Sequence, residues 1–233
     1  MVDHTPALAN SKIVTSNRQG LHENLDKVVL KHLRHTFKKP IAEHSQQAFD
    51  SIAKRVDDHR GPLVFDSCCG IGESTAKLAE RHGDALVIGV DQSAHRLDKH
   101  SLHFDSRDNA ILLRADCVDF WRLALSAGWR PSHHYLLYPN PWPKAHHLQR
   151  RWYAHAVFPA LLALGGQLEC RSNWLLYLQE FERSLALVDT PATIRALDAA
   201  APLTPFERKY SQSGQQIWQL KAALLDDYSS LLG

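Results

Sequence analysis

The chain has 233 residues, 44% of them hydrophobic and 22% charged, with a formal net charge of +2. That length suits one substantial α/β domain with a buried core and excludes two of that size. The composition reads as soluble and globular and excludes a basic nucleic-acid coat, so any RNA contact needs its positive charge gathered on one face.

Residues 1 to about 17 are small and polar and read as loose, with no apolar stretch of signal-peptide length. Leu25, Val28, Val29 and Leu33 then recur at helical steps. Lys38, Lys39 and Pro40 break that run, and a second helix is expected over about 42–56. From Pro62 the pattern alternates. Strands are expected at 62–67, 85–91, 110–116, 134–140 and 166–173, and helices after the Gly-rich turn at 70–72 and at 93–100, 118–128, 147–164 and 174–188. Two more strands, 192–199 and 214–224, close the chain with no helical pattern between them, which predicts a hairpin-like end. Short apolar strands alternating with amphipathic helices predict an α/β fold, a mostly parallel seven-stranded sheet with helices on both faces. The expected division is a flexible N-terminus and helical lead-in over 1–58 and the catalytic domain over 59–233.

No run of about 18 apolar residues occurs, so no membrane span is expected. Cys68, Cys69, Cys117 and Cys170 follow no metal spacing and read as reduced cysteines of a cytoplasmic protein. The histidines, among them His95, His100, His103, His133 and His134, are scattered without a ligand pattern, and no metal is expected. Lys38 and Lys39 read as solvated, and Trp121, Trp129, Trp152 and Trp218 as packing residues.

The sharpest local feature is Asp66-Ser-Cys-Cys-Gly70-Ile-Gly72-Glu73, directly after a strand and opening a helix. Gly70 and Gly72 allow a tight turn and close approach of a ligand to the backbone. Asp66 is placed to receive the charged amino group of an amino-acid moiety. Asp91 ends the next strand, where a carboxylate accepts from ribose hydroxyls. Asp116 ends the third strand, with Asn109, Ala110 and Cys117 as candidates to frame an adenine. Thr75 stands where a dinucleotide fingerprint has its third glycine. That favours S-adenosylmethionine (SAM), which has no pyrophosphate, and a Rossmann-like SAM-dependent methyltransferase fold.

After the fourth strand comes Tyr138-Pro-Asn140-Pro-Trp142-Pro-Lys144-Ala-His-His147-Leu-Gln-Arg150-Arg151. Its prolines make a rigid extended loop at the mouth of the expected cofactor pocket. Trp142 can stack on a base, and Lys144, Arg150 and Arg151 can hold phosphates. This segment resembles the PDPWPKxRHxKRR signature of the bacterial tRNA (guanine-N7)-methyltransferase family. The resemblance extends over about residues 60 to 222. Ser172-Asn173-Trp174 with Tyr177 resembles the family's TDxxxY stretch, and Thr204-Pro-Phe206-Glu207, then Gly214 and Trp218, its TxFE…G…W tail.

The resemblance implies methyl transfer from SAM to N7 of a guanine in tRNA, by a monomer or homodimer. It implies catalytic roles for Asn140 and Lys144, and substrate contacts for Trp142, Lys144, His147, Arg150, Arg151, Asn173, Tyr177, Thr204 and Glu207. The chain departs from the family's pattern where two aspartates are Asn140 and Asn173, where the first loop glycine is Cys68, and where His146 and Gln149 replace basic residues. Guanine N7 carries a free lone pair, so transfer needs positioning and desolvation rather than a general base. The amide of Asn140 meets guanine N–H donors less well than a carboxylate does. Asn140-Pro141-Trp142 also resembles the motif of amino-methyltransferases, which keeps an exocyclic amine of RNA or a small molecule open as acceptor. A non-catalytic paralogue that binds tRNA or SAM is a third reading.

Overall fold

The computed structural model describes residues 11–15, 20–97, 108–198 and 200–225. Most of the N-terminal stretch expected to be loose, the end of the helix expected to reach residue 100, and His100 and His103 lie outside them. Helices α1 (Leu25–Leu33) and α2 (Glu43–Asp58) stand where the periodicity places them. Leu25, Val29 and Leu33 of the first and Phe49, Ile52 and Val56 of the second are buried in the main core. Phe49 stacks on Trp129 with ring centroids 4.3 Å apart.

The sheet contains β1 (Leu63–Ser67), β2 (Leu86–Asp91), β3 (Ala110–Arg114), β4 (Pro131–Leu137), β5 (Gly166–Ser172), β6 (Ala192–Leu197) and β7 (Ile217–Leu224). Their order is β3-β2-β1-β4-β5-β7-β6. β7 runs antiparallel to both β5 and β6, and the remaining pairs are parallel. Between the strands lie α3 (Glu73–Arg81), α4 (Ala94–Leu97), α5 (Cys117–Ser126), α6 (Phe158–Ala163), α7 (Leu175–Ala186) and α8 (Pro205–Gln212). Alternate residues of one strand serve opposite faces. Phe65, Ile88 and Val90 join α1, α2, α5, α6 and α7 in one core, and Val64 and Val87 join Leu78 and Ala79 of α3 in another. Among the described residues no helix is long and apolar enough to cross a membrane.

Two expectations are corrected. Residues 147–164 do not form one helix. They make two 3-10 turns, Ala145–Arg150 and Trp152–Ala154, and then α6. Arg151 and His155 have extended backbones with ψ of 135° and 151°, and Arg151 is drawn inward to a buried carboxylate. The last two strands pair as a hairpin would, yet α8 lies between them. The Thr204 hydroxyl accepts from the Glu207 N–H at 3.0 Å and Pro205 follows the cap, a start signal the periodicity did not expose.

Candidate active site

The carboxyl ends of β1 to β5 gather the loops that carry the sequence motifs. At the end of β1, Cys68, Gly70 and Gly72 have φ of 65°, 63° and 80°, a left-handed run that swings the chain into α3. A Cβ on Gly70 would meet no protein atom within 4 Å, so its face is open to a ligand. Asp66 beneath it is buried. Its Oδ2 accepts from the hydroxyls of Ser74 and Thr75 at 2.7 Å each, and its Oδ1 has no partner. Burial pushes its carboxyl up to about 6, against the pull of the two hydroxyls. A buried carboxylate oxygen without a donor, beside an open glycine face, fits the ammonium of SAM.

Asp91 at the end of β2 is buried and already engaged. It accepts from the Gly70 N–H at 3.1 Å, from the Ser93 N–H at 2.8 Å and from Arg96 at 3.3 Å. Of these three donors Arg96 belongs to the exposed side, its side chain 57% exposed. Asp116 caps α5 by accepting from the Val118 N–H at 2.9 Å, and its other oxygen pairs with Lys39 at 3.6 Å. Lys39 is exposed, as expected, and pairs with Asp116 from the solvent side. Cys117 is buried, with its sulfur 3.8 Å from both the Cys68 sulfur and the Val90 carbonyl. Asn109 does not frame an adenine. It precedes β3, at the opposite end of the sheet, and donates to the carbonyls of Ala79, His82 and Ala85.

The loop after β4 rises beside this cleft. Asn140 is exposed, and its Oδ1 accepts from the Trp142 N–H at 3.3 Å. Trp142 has φ of 45°, a left-handed conformation costly for a bulky residue and one that requires support. Its carbonyl receives two hydrogen bonds from Arg151, at 3.2 and 3.0 Å. Arg150 lies over the indole, 4.7 Å from the centroid, and His147 meets it edge-on at 5.1 Å. Lys144 is exposed on the same loop.

Arg151 does not hold phosphate in this arrangement. Its side chain is fully buried, ion-paired with Glu180 and 5.3 Å from the Trp174 ring. Tyr153 donates to the same carboxylate at 2.5 Å, and the His22 N–H donates to its other oxygen at 2.8 Å. His22 also meets the Ala145 carbonyl at 3.2 Å, so the chain ahead of α1 is tied to the acceptor loop. Asn173 donates to Gln215 at 2.8 Å, and Gln215 donates to the Ser11 carbonyl at 2.8 Å.

Tyr177, Thr204 and Glu207 stand apart from the open mouth. Tyr177 is 1% exposed and packs edge-on against Tyr153 at 4.9 Å. Thr204 is the cap of α8. Glu207 is buried and bound by Arg171 at 2.9 and 3.1 Å, and Arg171 also holds Glu169 at 2.7 Å. For Thr204 and Glu207 the pairing expected of substrate is satisfied within the protein, while the buried Tyr177 hydroxyl has no partner. Glu180, Arg171, Ser74 and Arg96 were not singled out from sequence, and Thr75 was read only as a missing glycine. Only a buried charge in an apolar helix, as with Glu180 among Tyr177, Leu178 and Phe181, offered a signal. A cavity of about 630 Å³ lined by His59, Trp129 and Gly166 opens at the amino ends of the strands and holds none of the motif residues.

With this geometry in hand, the similarities to other proteins are informative. Residues 60–220 match a family described as "Putative methyltransferase". A tRNA (guanine-N(7)-)-methyltransferase of Leifsonia xyli is 31% identical over 171 residues, covering 69% of this chain and 75% of that protein. One from Treponema pallidum is 27% identical and covers 68% of this chain and 66% of that protein. Among solved structures, the 16S rRNA methyltransferase KamB aligns with a TM-score of 0.58 at 16% identity, over 82% of this chain and all of that one. A 16S rRNA (adenine(1408)-N(1))-methyltransferase from Catenulisporales acidiphilia, solved with SAM, aligns at 0.55 and 16% identity, over 77% of this chain and 92% of that one. These structural likenesses show the Rossmann-like methyltransferase fold.

Proposed function

The chain belongs to the tRNA (guanine-N7)-methyltransferase family of SAM-dependent enzymes, and on that premise we propose that it methylates N7 of a guanine in tRNA. The observation that carries the reading is the Pro139–Lys144 loop after β4, with Lys144 exposed on it and Arg150 of the following turn lying over Trp142. When bound, SAM supplies an electrophilic methyl group on a sulfonium. Asp66 would hold its ammonium, with the Gly70 face beside it, and Asp91 and Asp116 would hold its ribose and adenine.

The acceptor N7 uses its own lone pair, so the chain's residues need to bind, orient and dry the base. Trp142 offers a stacking surface and Arg150 and Lys144 attract phosphate. Asn140 presents an amide to the base edge. Its oxygen is already turned to the Trp142 N–H, which favours N7 over an exocyclic amine that would need that oxygen as acceptor. A tRNA substrate implies a cytoplasmic protein.

The test is transfer from labelled SAM to unmodified tRNA, followed by mass spectrometry of the nucleosides. The expected product is 7-methylguanosine. Label on an exocyclic amine, or none in tRNA, overturns the reading.

A further inference from the structure

We propose that Cys68 and Cys117 are a peroxide-oxidised thiol pair whose disulfide lowers the protein's affinity for SAM. β1 and β3 are separated by β2, so their ends stand about 9–10 Å apart at the usual strand spacing. Cys68 follows β1 and Cys117 opens α5 after β3, yet their sulfurs meet at 3.8 Å over the end of β2. The Cys117 sulfur is also 3.8 Å from the Val90 carbonyl of β2, which places the pair on the floor of the cleft. All four cysteines are free, and Cys68 is half-buried while Cys117 is buried. A disulfide requires sulfurs about 2.05 Å apart. The remaining closure of under ~2 Å falls on side-chain rotation and on a loop that turns at Gly70 and Gly72.

The roles of the two thiols follow from their surroundings. Cys117 is buried and Cys68 only half-buried, so Cys68 is the group that peroxide can reach. The Cys68 thiolate attacks the O–O bond of a hydroperoxide. An S–O bond forms, the O–O bond breaks, and the departing oxygen takes a proton to leave as water from hydrogen peroxide. Cys117 then attacks the sulfenic sulfur. The S–S bond forms, the S–O bond breaks, and a second water leaves with the Cys117 proton. Two thiols supply the two electrons that reduce one peroxide.

The bridge joins the residue preceding Cys69 and Gly70 to the residue following Asp116. It therefore pins together the two loops between which, on the proposed reading, SAM would lie. Cys68 occupies the position of the family's first loop glycine, a place where no thiol is needed for the turn.

The full-length chain is treated with hydrogen peroxide, its disulfides mapped by peptide mass spectrometry, and its SAM affinity measured by titration calorimetry. The expected result is a Cys68–Cys117 linked peptide and at least a tenfold weaker Kd, both reversed by dithiothreitol. In Cys68→Ser, whatever its starting affinity, peroxide leaves the Kd where it was. Absence of that linked peptide overturns the proposal, as does a vicinal Cys68–Cys69 bridge. A formed bridge with unchanged SAM affinity, or a peroxide-induced loss that persists in Cys68→Ser, also overturns it. The thiol mapping is independent of methyl transfer, so its outcome is separable from that of the proposed function.

Discussion

With Asp66 proposed to receive the ammonium of SAM, the protonation of one buried carboxyl would be tied to the cofactor. In the fold its pKa is raised from an ordinary 3.8 to about 6, so the folded chain holds a proton that the unfolded chain releases. Its contribution to stability is therefore greatest in acid and falls as pH rises from about 4 to about 6. Recognition of an ammonium runs the other way, because it needs the carboxylate. SAM affinity is expected to rise with pH through about 6, with Kd at pH 5 about tenfold weaker than at pH 8. Asp66→Asn flattens the profile, and a flat profile in the unaltered chain would refute the role. Asn140 is the second residue-scale test. Asn140→Asp keeps an acceptor for the Trp142 N–H and adds one for guanine N–H groups in place of an opposed NH2. Transfer to tRNA is expected to improve roughly tenfold. An unchanged or lower kcat/KM would show that the amide is not a weakened form of the family's carboxylate.

Between β2 and α3 the close approach is achieved by an unexpected glycine. A Cβ on Gly89 would lie 2.3 Å from the Thr75 hydroxyl and 2.8 Å from Leu112. Thr75 fills the place of the third glycine in a dinucleotide fingerprint, so the small residue has moved from helix to strand. Because Thr75 also donates to Asp66, Gly89→Ala is expected to cost about 1–3 kcal/mol and to weaken SAM binding in the same protein. Loss of stability with unaltered SAM affinity would break that coupling. The acceptor loop has its own support in the break between the two 3-10 turns. Arg151 holds the carbonyl of Trp142 and satisfies Glu180, and both side chains of the pair are fully buried. Arg151→Met leaves Glu180 with an uncompensated charge and is expected to destabilise by about 3–5 kcal/mol in chemical denaturation. A change below about 1 kcal/mol would mean that the pair contributes little.

At the scale of the whole molecule, the lead-in helices are part of the core. Leu25, Val29, Phe49, Ile52 and Val56 are buried with Phe65, Phe120 and Phe181 in one cluster. Asp26 pairs with Arg183, Arg122 donates to the Lys39 carbonyl at 2.7 Å, and the Ala42 N–H donates to Asp119 at 3.2 Å. Removing residues 1–58 therefore exposes one face of β1–β3 and of α5 and α7. The fragment 59–233 is expected to lack a cooperative thermal transition, read by near-ultraviolet circular dichroism. A sharp transition near that of the full chain would establish it as an independent domain.

The alternation of β-branched runs with helical stripes determined the strands, most helices and the ends that carry the loops, because those patterns report local burial. The Gly-rich turn, the acids at Asp66, Asp91 and Asp116, and the proline-rich loop were legible for the same reason, since each needs particular residue types at short spacing. Which of the charges face outward was not. Arg150 and Arg151 are adjacent in sequence and identical in chemistry, yet one covers Trp142 at the surface and the other is sealed against Glu180, from a helix 29 residues away. Glu207 and Thr204 likewise face inward because Arg171, on a different strand, and the α8 backbone claim them. Pairing between residues distant in sequence is decided by how elements pack, and only the tertiary structure reveals which polar groups are satisfied within the protein and which are left for a ligand.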